Sequence, residues 1–531
     1  MADAQQHIAE FDFVVVGAGS SGCALAGRLA EDGRHSIAVL EAGAERKPKL
    51  TAIPAALVHT IGNPRYDWQY LSEPDPTRDN RVEPWPRGLG PGGSGLINGM
   101  IFVRGAPQDF DAWEARGATG WSYRDVLPYF RRFETSGVGD DQARGTLGPQ
   151  SISALRYVHP VTRLFVQSAE ATGIPFTPDY NGAAQEGVGF TQATQQNGRR
   201  HSPFDAFLKP AVDRGRASLI QNARVLRVLL EGTRAVGVEY ERDGVVHIVR
   251  ARRQVVLSGG AINTPQLLML SGIGDPAALN AAGIRPLVDN AEVGANMIEH
   301  PGVFMRAEVD VPTLNQQATM LGKALAIAQW LAGKGPATTP TAQALAFLRS
   351  LDGMSEPDIQ IHFTAFGFTG PGETSPKKRL ISIVPSVNHP ESRGSIELAG
   401  PDPRDAPRIL PRLLESDADV ATLRRGLRIC TQILAAAPLG QHVRRIVDKP
   451  EDESEEAEIA FIRATAAPLF HPVGTCRMGS DERAVVRPDL SVRSVEGLAV
   501  ADVSIMPRHI SGNTHASALM IGERAADLLR R

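Results

Sequence analysis

The chain has 531 residues and a formal net charge of −3. That length leaves room for two or more domains around a large core, and the near-balanced charge excludes the basic footprint of a nucleic-acid binder. Its three cysteines, Cys23, Cys430 and Cys476, lie far apart, which excludes a disulfide framework or a cysteine-rich metal site and fits a reducing compartment.

The apolar run Phe13–Val16 predicts a buried parallel strand. Gly17, Gly19 and Gly22 follow as a G-x-G-x-x-G turn, and a helix-length stretch leads to a second apolar run ending at Glu41. In such a unit the glycines allow a tight turn, close approach to a pyrophosphate and close packing of helix on strand. The helix N-terminus offers N–H groups and partial positive charge to phosphates. An acid after the second strand accepts hydrogen bonds from a ribose diol. Glu41, where a basic residue would serve a 2′-phosphate, favours NAD or FAD over NADP. The first apolar run is this strand itself, so no secretory leader is read and the protein is expected in the cytoplasm.

Residues 80–105 are rich in Gly, Pro and Arg and predict a long ordered loop. Residues 218–258 alternate short strand-like segments, an antiparallel ribbon that returns to the parallel sheet at Val255–Leu257. Residues 304–385 mix strands with helix and carry no dinucleotide pattern. Within them Ala324–Ala332 lies between Lys323 and Lys334. It is too short to span a membrane and reads as a core or lid helix, with docking at a membrane surface as the alternative. Residues 411–438, 453–465 and 514–529 are helical by spacing.

Nucleotide-type signals at both ends of the chain predict an α/β fold (α+β overall). A Rossmann-like nucleotide domain is assembled from 1–155, 205–303 and 460–531. The substrate domain, 156–204 and 304–459, is inserted and carries an antiparallel sheet flanked by helices.

Three further segments are more specific. They are Arg87–Gly105 (RGLGPGGSGLINGMIFVRG), Gly260–Gly274 (GAINTPQLLMLSGIG), and Leu469–Gly479 (LFHPVGTCRMG) with Val500–Pro507 (VADVSIMP) and Ser511–His515 (SGNTH). Together with the N-terminal turn, and with Tyr66–Trp68 and Gly294–His300 (GANMIEH), they resemble the glucose–methanol–choline (GMC) oxidoreductases over nearly the whole chain. The resemblance implies bound FAD, a sheet roofing the flavin, and oxidation of an alcohol, expected to be primary, to an aldehyde or ketone. The reaction it implies is proton abstraction with hydride transfer to flavin N5.

By the same resemblance His471 is the catalytic base and Asn513 its partner. A histidine has a near-neutral pKa and suits proton abstraction; an amide can donate to the substrate oxygen while staying uncharged. A packed core histidine and a helix N-cap are the plain readings of the two residues taken alone. The cofactor residues implied are Gly17, Gly19, Ser20, Gly22, Glu41, Ala42, Trp68, Gly93, Asn98, Gly99, Met100, Val225, Asp502, Thr514 and His515. Ile97 stands where some relatives attach FAD through histidine, so FAD is expected to be non-covalent. Leu89, Gly90 and Pro91 depart from the family pattern in this loop.

Phe102 and Phe470 are candidate walls of the substrate pocket. His509 is read as solvent-facing or a pocket wall. No metal is expected. The partners implied are a small alcohol and an oxygen or quinone-type electron acceptor, for a monomer or homodimer. The competing readings are a cyanohydrin-cleaving lyase on the same scaffold and a non-catalytic FAD-binding protein.

Overall fold

A run of β-branched residues buried on both faces makes the first strand central. The computed structural model describes residues 9–44, 50–139, 142–367, 375 and 377–530; residues 1–8, on which the leader reading bears, lie outside them. The strand Ala9–Val16 pairs in parallel with Ile37–Leu40 on one side and Val245–Leu257 on the other. Ser218–Ile220 and Leu498–Val500 extend the sheet, also in parallel. Arg224–Glu231 and Arg234–Arg242 add an antiparallel meander. The ribbon strand and the return strand, expected to be separate, are one strand of 13 residues. It pairs antiparallel with Arg234–Arg242 through its first half and in parallel with the first strand through its second, its register against that strand shifting between Phe11 and Phe13.

Two helices close one face of this sheet, Ser20–Leu29 and the C-terminal His515–Leu529. They lie close: a Cβ on Gly522 would fall 2.3 Å from the Ser21 carbonyl oxygen. The Ser21 hydroxyl donates to the Ala518 carbonyl at 2.7 Å.

The second sheet is antiparallel and runs in the order Val443–Ile446, Met305–Val309, Leu380–Val387, Ile359–Thr364, Ala344–Leu348, Gly187–Phe190. Strand periodicity sorts its side chains. Ile361, Phe363 and Ile383 are fully buried in a core shared with the helices Pro160–Ala171 and Asp417–Ala435. Phe165 stacks on Phe363 with ring centroids 4.3 Å apart. His362, Thr364, Ser382 and Val384 face the other way, into a cavity between the sheets. Pro301–Val303 and Ala466–Pro468 also join this sheet, past the bounds expected for the inserted segments. They carry the chain from one sheet to the other, and the second delivers residues 469–471 to the cavity.

The helix Met320–Leu331 departs from the core reading. Only Trp330 is buried on it, because among the described residues no other element packs over its remaining faces. Among the described residues no helix is long and apolar enough to cross a membrane.

Gly22 shows why the turn demands glycine. A Cβ there would lie 2.0 Å from the Gly17 carbonyl oxygen, and both atoms are held by sheet and helix. Gly22→Ala is expected to cost roughly 3 kcal/mol through overpacking, read as a lower thermal unfolding midpoint; an unchanged midpoint contradicts the packing described.

Candidate active site

The cavity between the sheets has a volume of about 840 Å³. One end is built by glycines. Gly17 adopts φ +99°, and Gly19 precedes a helix whose first turn holds no acid and no side-chain cap. A Cβ on Gly19 would meet only the Ser258 carbonyl oxygen, at 3.9 Å, so that face is open to a ligand. Gly93 closes down on it, since its own Cβ would fall 2.7 Å from the Gly19 Cα. Uncapped N–H groups at a helix N-terminus with no side chain in the way make an anion site.

Glu41 ties this cradle together. Its Oε2 accepts from the Ala18 N–H (3.0 Å), and its Oε1 accepts from Gly43 (2.9 Å) and Gly90 (3.0 Å). Three segments therefore converge on one buried carboxylate. Oε2 has taken one hydrogen bond and keeps room for a diol. Gly90 belongs to the segment Leu89–Pro91 that departs from the family pattern. A Cβ on Gly43 would lie 2.4 Å from the Gly90 Cα, so two glycines make this contact.

Further along, Ser20, Ala42, Trp68 and Val225 line the same cavity, as do Asn98, Gly99 and Met100 of the loop. Arg200, missed in the sequence, clamps that loop: its guanidinium donates to the Asn98 Oδ1 (2.6 Å) and to the Asn98 and Gly95 carbonyls (2.8 and 3.1 Å). Asp502 accepts from the Gly260 N–H (2.8 Å), the Thr264 hydroxyl (2.6 Å) and the Ser504 N–H (2.8 Å). Thr514 and His515 open the C-terminal helix at the cavity wall. His515 Nδ1 lies 3.1 Å from the Ser20 hydroxyl, and burial lowers its pKa to about 4, so the ring is neutral. Gly22 does not line the cavity; it packs beneath the turn.

At the other end stands His471. Its Nε2 lies 3.0 Å from the Asn513 Nδ2, and its Nδ1 lies 3.1 Å from the His300 Nδ1. The His300 Nε2 in turn lies 2.9 Å from the Asn388 carbonyl oxygen. A carbonyl only accepts and an amide nitrogen only donates, which fixes every proton in the row. His300 carries its proton on Nε2 and accepts at Nδ1. His471 carries its proton on Nδ1 and leaves Nε2 bare. Gln360 holds the amide of Asn513 in that sense, donating to its Oδ1 at 3.2 Å. Asn513 is therefore no N-cap; Thr514 occupies that position, without a side-chain cap bond.

Burial holds the His471 imidazole well below its ordinary range, and His509, His362 and Arg87 nearby add to this. The ring is neutral at pH 7. Phe470 lines the cavity at φ +65°, its carbonyl accepting from Arg87 at 2.7 Å.

Two sequence expectations are corrected. Phe102 is no pocket wall: it is fully buried and packs edge-on to Phe133 at 6.2 Å. Neighbouring side chains of an extended segment point to opposite sides, and it is Ile101 that faces the cavity. His509 faces neither solvent nor pocket. It is 1% exposed, its ring centroid lies 3.5 Å from that of His300, and its Nε2 donates to the His471 carbonyl at 2.8 Å.

Sequence reading gave no role to His300, although it sits in the GANMIEH landmark. It missed Gln360, whose signal is the polar alternation Gln360, His362, Thr364 in an otherwise apolar strand.

A Rossmann-type sheet, a glycine cradle and a neutral buried histidine beside an amide define a dinucleotide-dependent oxidoreductase. The chain belongs to the GMC oxidoreductase family, whose two models match residues 11–302 and 390–522. It is thus an FAD-dependent oxidoreductase acting on CH–OH groups. It is 39% identical over 521 residues to an oxygen-dependent choline dehydrogenase of Rhizobium etli, covering 97% of this chain and 95% of the relative. A namesake from Sinorhizobium fredii is 40% identical over the same shares. Among solved structures, pyridoxine 4-oxidase from Mesorbium loti superposes with a TM-score of 0.88 at 30% identity, over 97% of this chain and 98% of that one. The cradle fits FAD: Gly19 leaves open space, the helix N-terminus is uncapped, and Glu41 keeps an acceptor position.

Glu299 supports His471 from behind. Its Oε1 accepts from the backbone N–H groups of His471 and His300 (2.8 and 3.0 Å), while its Oε2 is buried without a partner. Burial raises its pKa to about 8. A carboxyl raised on folding stabilises the fold below its unfolded pKa of 4.5, and that contribution fades as pH climbs through about 8. Glu299→Gln is expected to flatten this alkaline decline in thermal unfolding midpoint; an unaltered slope contradicts it.

Proposed function

We propose that this chain oxidises a neutral primary alcohol to its aldehyde, with His471 as base and Asn513 as the partner of the substrate oxygen. The observation that carries the reading is the bare His471 Nε2, 3.0 Å from the Asn513 Nδ2 at the cavity wall. When bound, FAD supplies the acceptor for the carbon-bound hydride.

The protein supplies the handling of the proton. His471 Nε2 takes it from the substrate hydroxyl. The Asn513 amide nitrogen has two hydrogens; one serves His471 and the other can donate to the substrate oxygen. Negative charge growing on that oxygen offsets the positive charge growing on the buried imidazole. His300 accepts from Nδ1 throughout and keeps Nε2 aimed at the substrate.

The walls around this end favour an aliphatic or aromatic carrier. Phe304, Phe366, Phe470 and Val384 line it. The carboxylic residues of the cavity wall, among the described residues, are Glu41, Asp405 and Asp502; Glu41 and Asp502 accept from the Ala18 and Gly260 N–H groups, while Gln266 donates to the Asp405 backbone carbonyl. Ile97 in the loop supports FAD held without a covalent bond. The electrons then pass to oxygen or a quinone-type acceptor.

Anaerobic mixing with a panel of alcohols tests the substrate class. Benzylic and aliphatic alcohols are expected to bleach the flavin faster than choline does; the reverse order contradicts a neutral substrate. His471→Ala is expected to slow flavin reduction about a thousandfold while FAD stays bound; reduction at near wild-type rate removes His471 as base. A base whose pKa is depressed stays unprotonated until pH falls below it. The acid limb of flavin reduction should therefore lie below pH 6.5, the ordinary histidine value, and a limb above it contradicts the neutral imidazole.

A further inference from the structure

The helix Met320–Leu331 reads MLGKALAIAQWL, and Trp330 is its only buried residue. Met320 is 91% exposed, Leu321 81% and Leu331 67%; Leu325 and Ile327 are exposed as well. A helix whose apolar residues spread around most of its girth belongs in a core or in lipid, and among the described residues no core covers this one. It is firmly built. Thr319 caps it, its hydroxyl accepting from the Gly322 N–H at 3.1 Å. Its inner end is anchored by the Trp330 indole, which donates to the Gly198 carbonyl at 3.0 Å under the Arg199 guanidinium, 4.1 Å from the ring.

The stretch of chain that carries it holds charge of one sign. No Asp or Glu occurs from Val311 to Leu351, while Lys323 and Lys334 lie in that stretch. Arg156 donates to the Gly333 carbonyl at the helix end, so its positive charge and that of Arg199 stand at the same base. The apolar surface continues toward the cavity. The helix packs on Pro336–Thr338, which packs on Pro54–His59. Val58 and Ile61, exposed at the far side of that contact, line the cavity itself.

We propose that Met320–Leu331 seats in the interfacial layer of an anionic lipid leaflet, turning the cavity mouth toward the membrane. The apolar side chains reach into the acyl boundary, and the cations meet the lipid phosphates. A second copy of the chain is the poorer occupant, since a two-fold pairing of this patch would bring the same cations face to face. Apolar alcohols and quinones dissolve in the same layer, but the docking does not rest on the substrate reading above.

Flotation of the full-length holoenzyme with vesicles is the test, using phosphatidylcholine alone and phosphatidylcholine mixed with phosphatidylglycerol. The wild type is expected to float with the anionic vesicles, less at high salt, and poorly with neutral ones. The triple variant Leu321→Ser, Leu325→Ser, Ile327→Ser should lose at least about tenfold in vesicle affinity. Its thermal midpoint and its rate on a water-soluble alcohol should not change. Lys323→Glu with Lys334→Glu should weaken binding to the anionic vesicles alone. Failure of the wild type to float with either vesicle overturns the proposal. So does a dimer that the triple variant dissociates while no vesicle binding is seen, which would assign the face to a second copy.

Discussion

A buried histidine can keep one nitrogen bare only if the other has an acceptor to donate to, and that requirement orders the parts around His471. The row Asn513, His471, His300, Asn388 draws its members from four places in the chain. His471 follows the strand Ala466–Pro468, and Asn513 precedes the C-terminal helix of the first sheet. His300 leads into Pro301–Val303, and Asn388 follows Leu380–Val387. The hydrogen bonds that set the proton positions therefore also join the two sheets. Leaving one such buried group unpaired costs about 1–3 kcal/mol, so the arrangement resists rotation of any one ring. Precise aim of the base and stability of the sheet contact come from the same bonds.

The cradle at the far end follows a similar rule. Burial raises the pKa of Glu41, and the N–H groups of Gly43, Ala18 and Gly90 oppose that rise. The carboxylate organises three loops before any ligand arrives. Arg200 does the same for the Asn98 loop with donors to two carbonyls and one amide. Preformed geometry lowers the ordering cost of binding a large cofactor. The departure at Leu89–Pro91 fits this design, because Gly90 lets its backbone N–H reach Glu41 and lets Gly43 pack against it.

Much of the fold was legible because its signals are local. The apolar run Phe13–Val16, the glycine spacing and Glu41 are contiguous, and the helices Asp417–Ala435 and Glu455–Thr465 show in their periodicity. The motif residues His471 and Asn513 were legible through resemblance, but their bond to each other was not. His300, Gln360 and Arg200 act across 171, 153 and 102 positions of sequence, and no pattern in one chain reports such a contact. Phe102 was misread because two neighbours in an extended segment compete for one cavity, and the sequence does not say which side faces it. The core reading of the helix Met320–Leu331 failed for the opposite reason. Its composition is that of a core helix, and only the absence of a packing partner among the described residues reveals its exposed faces.

The central claim is the protonation state of His471, with its proton on Nδ1 and Nε2 bare. Nitrogen-15 resonances of the histidine rings in the alcohol-free holoenzyme, assigned by loss of one ring signal in a His471 variant, measure it directly. The account predicts a neutral ring protonated on Nδ1 that persists below pH 6.5. A His471 ring protonated on Nε2, or doubly protonated at neutral pH, would contradict it.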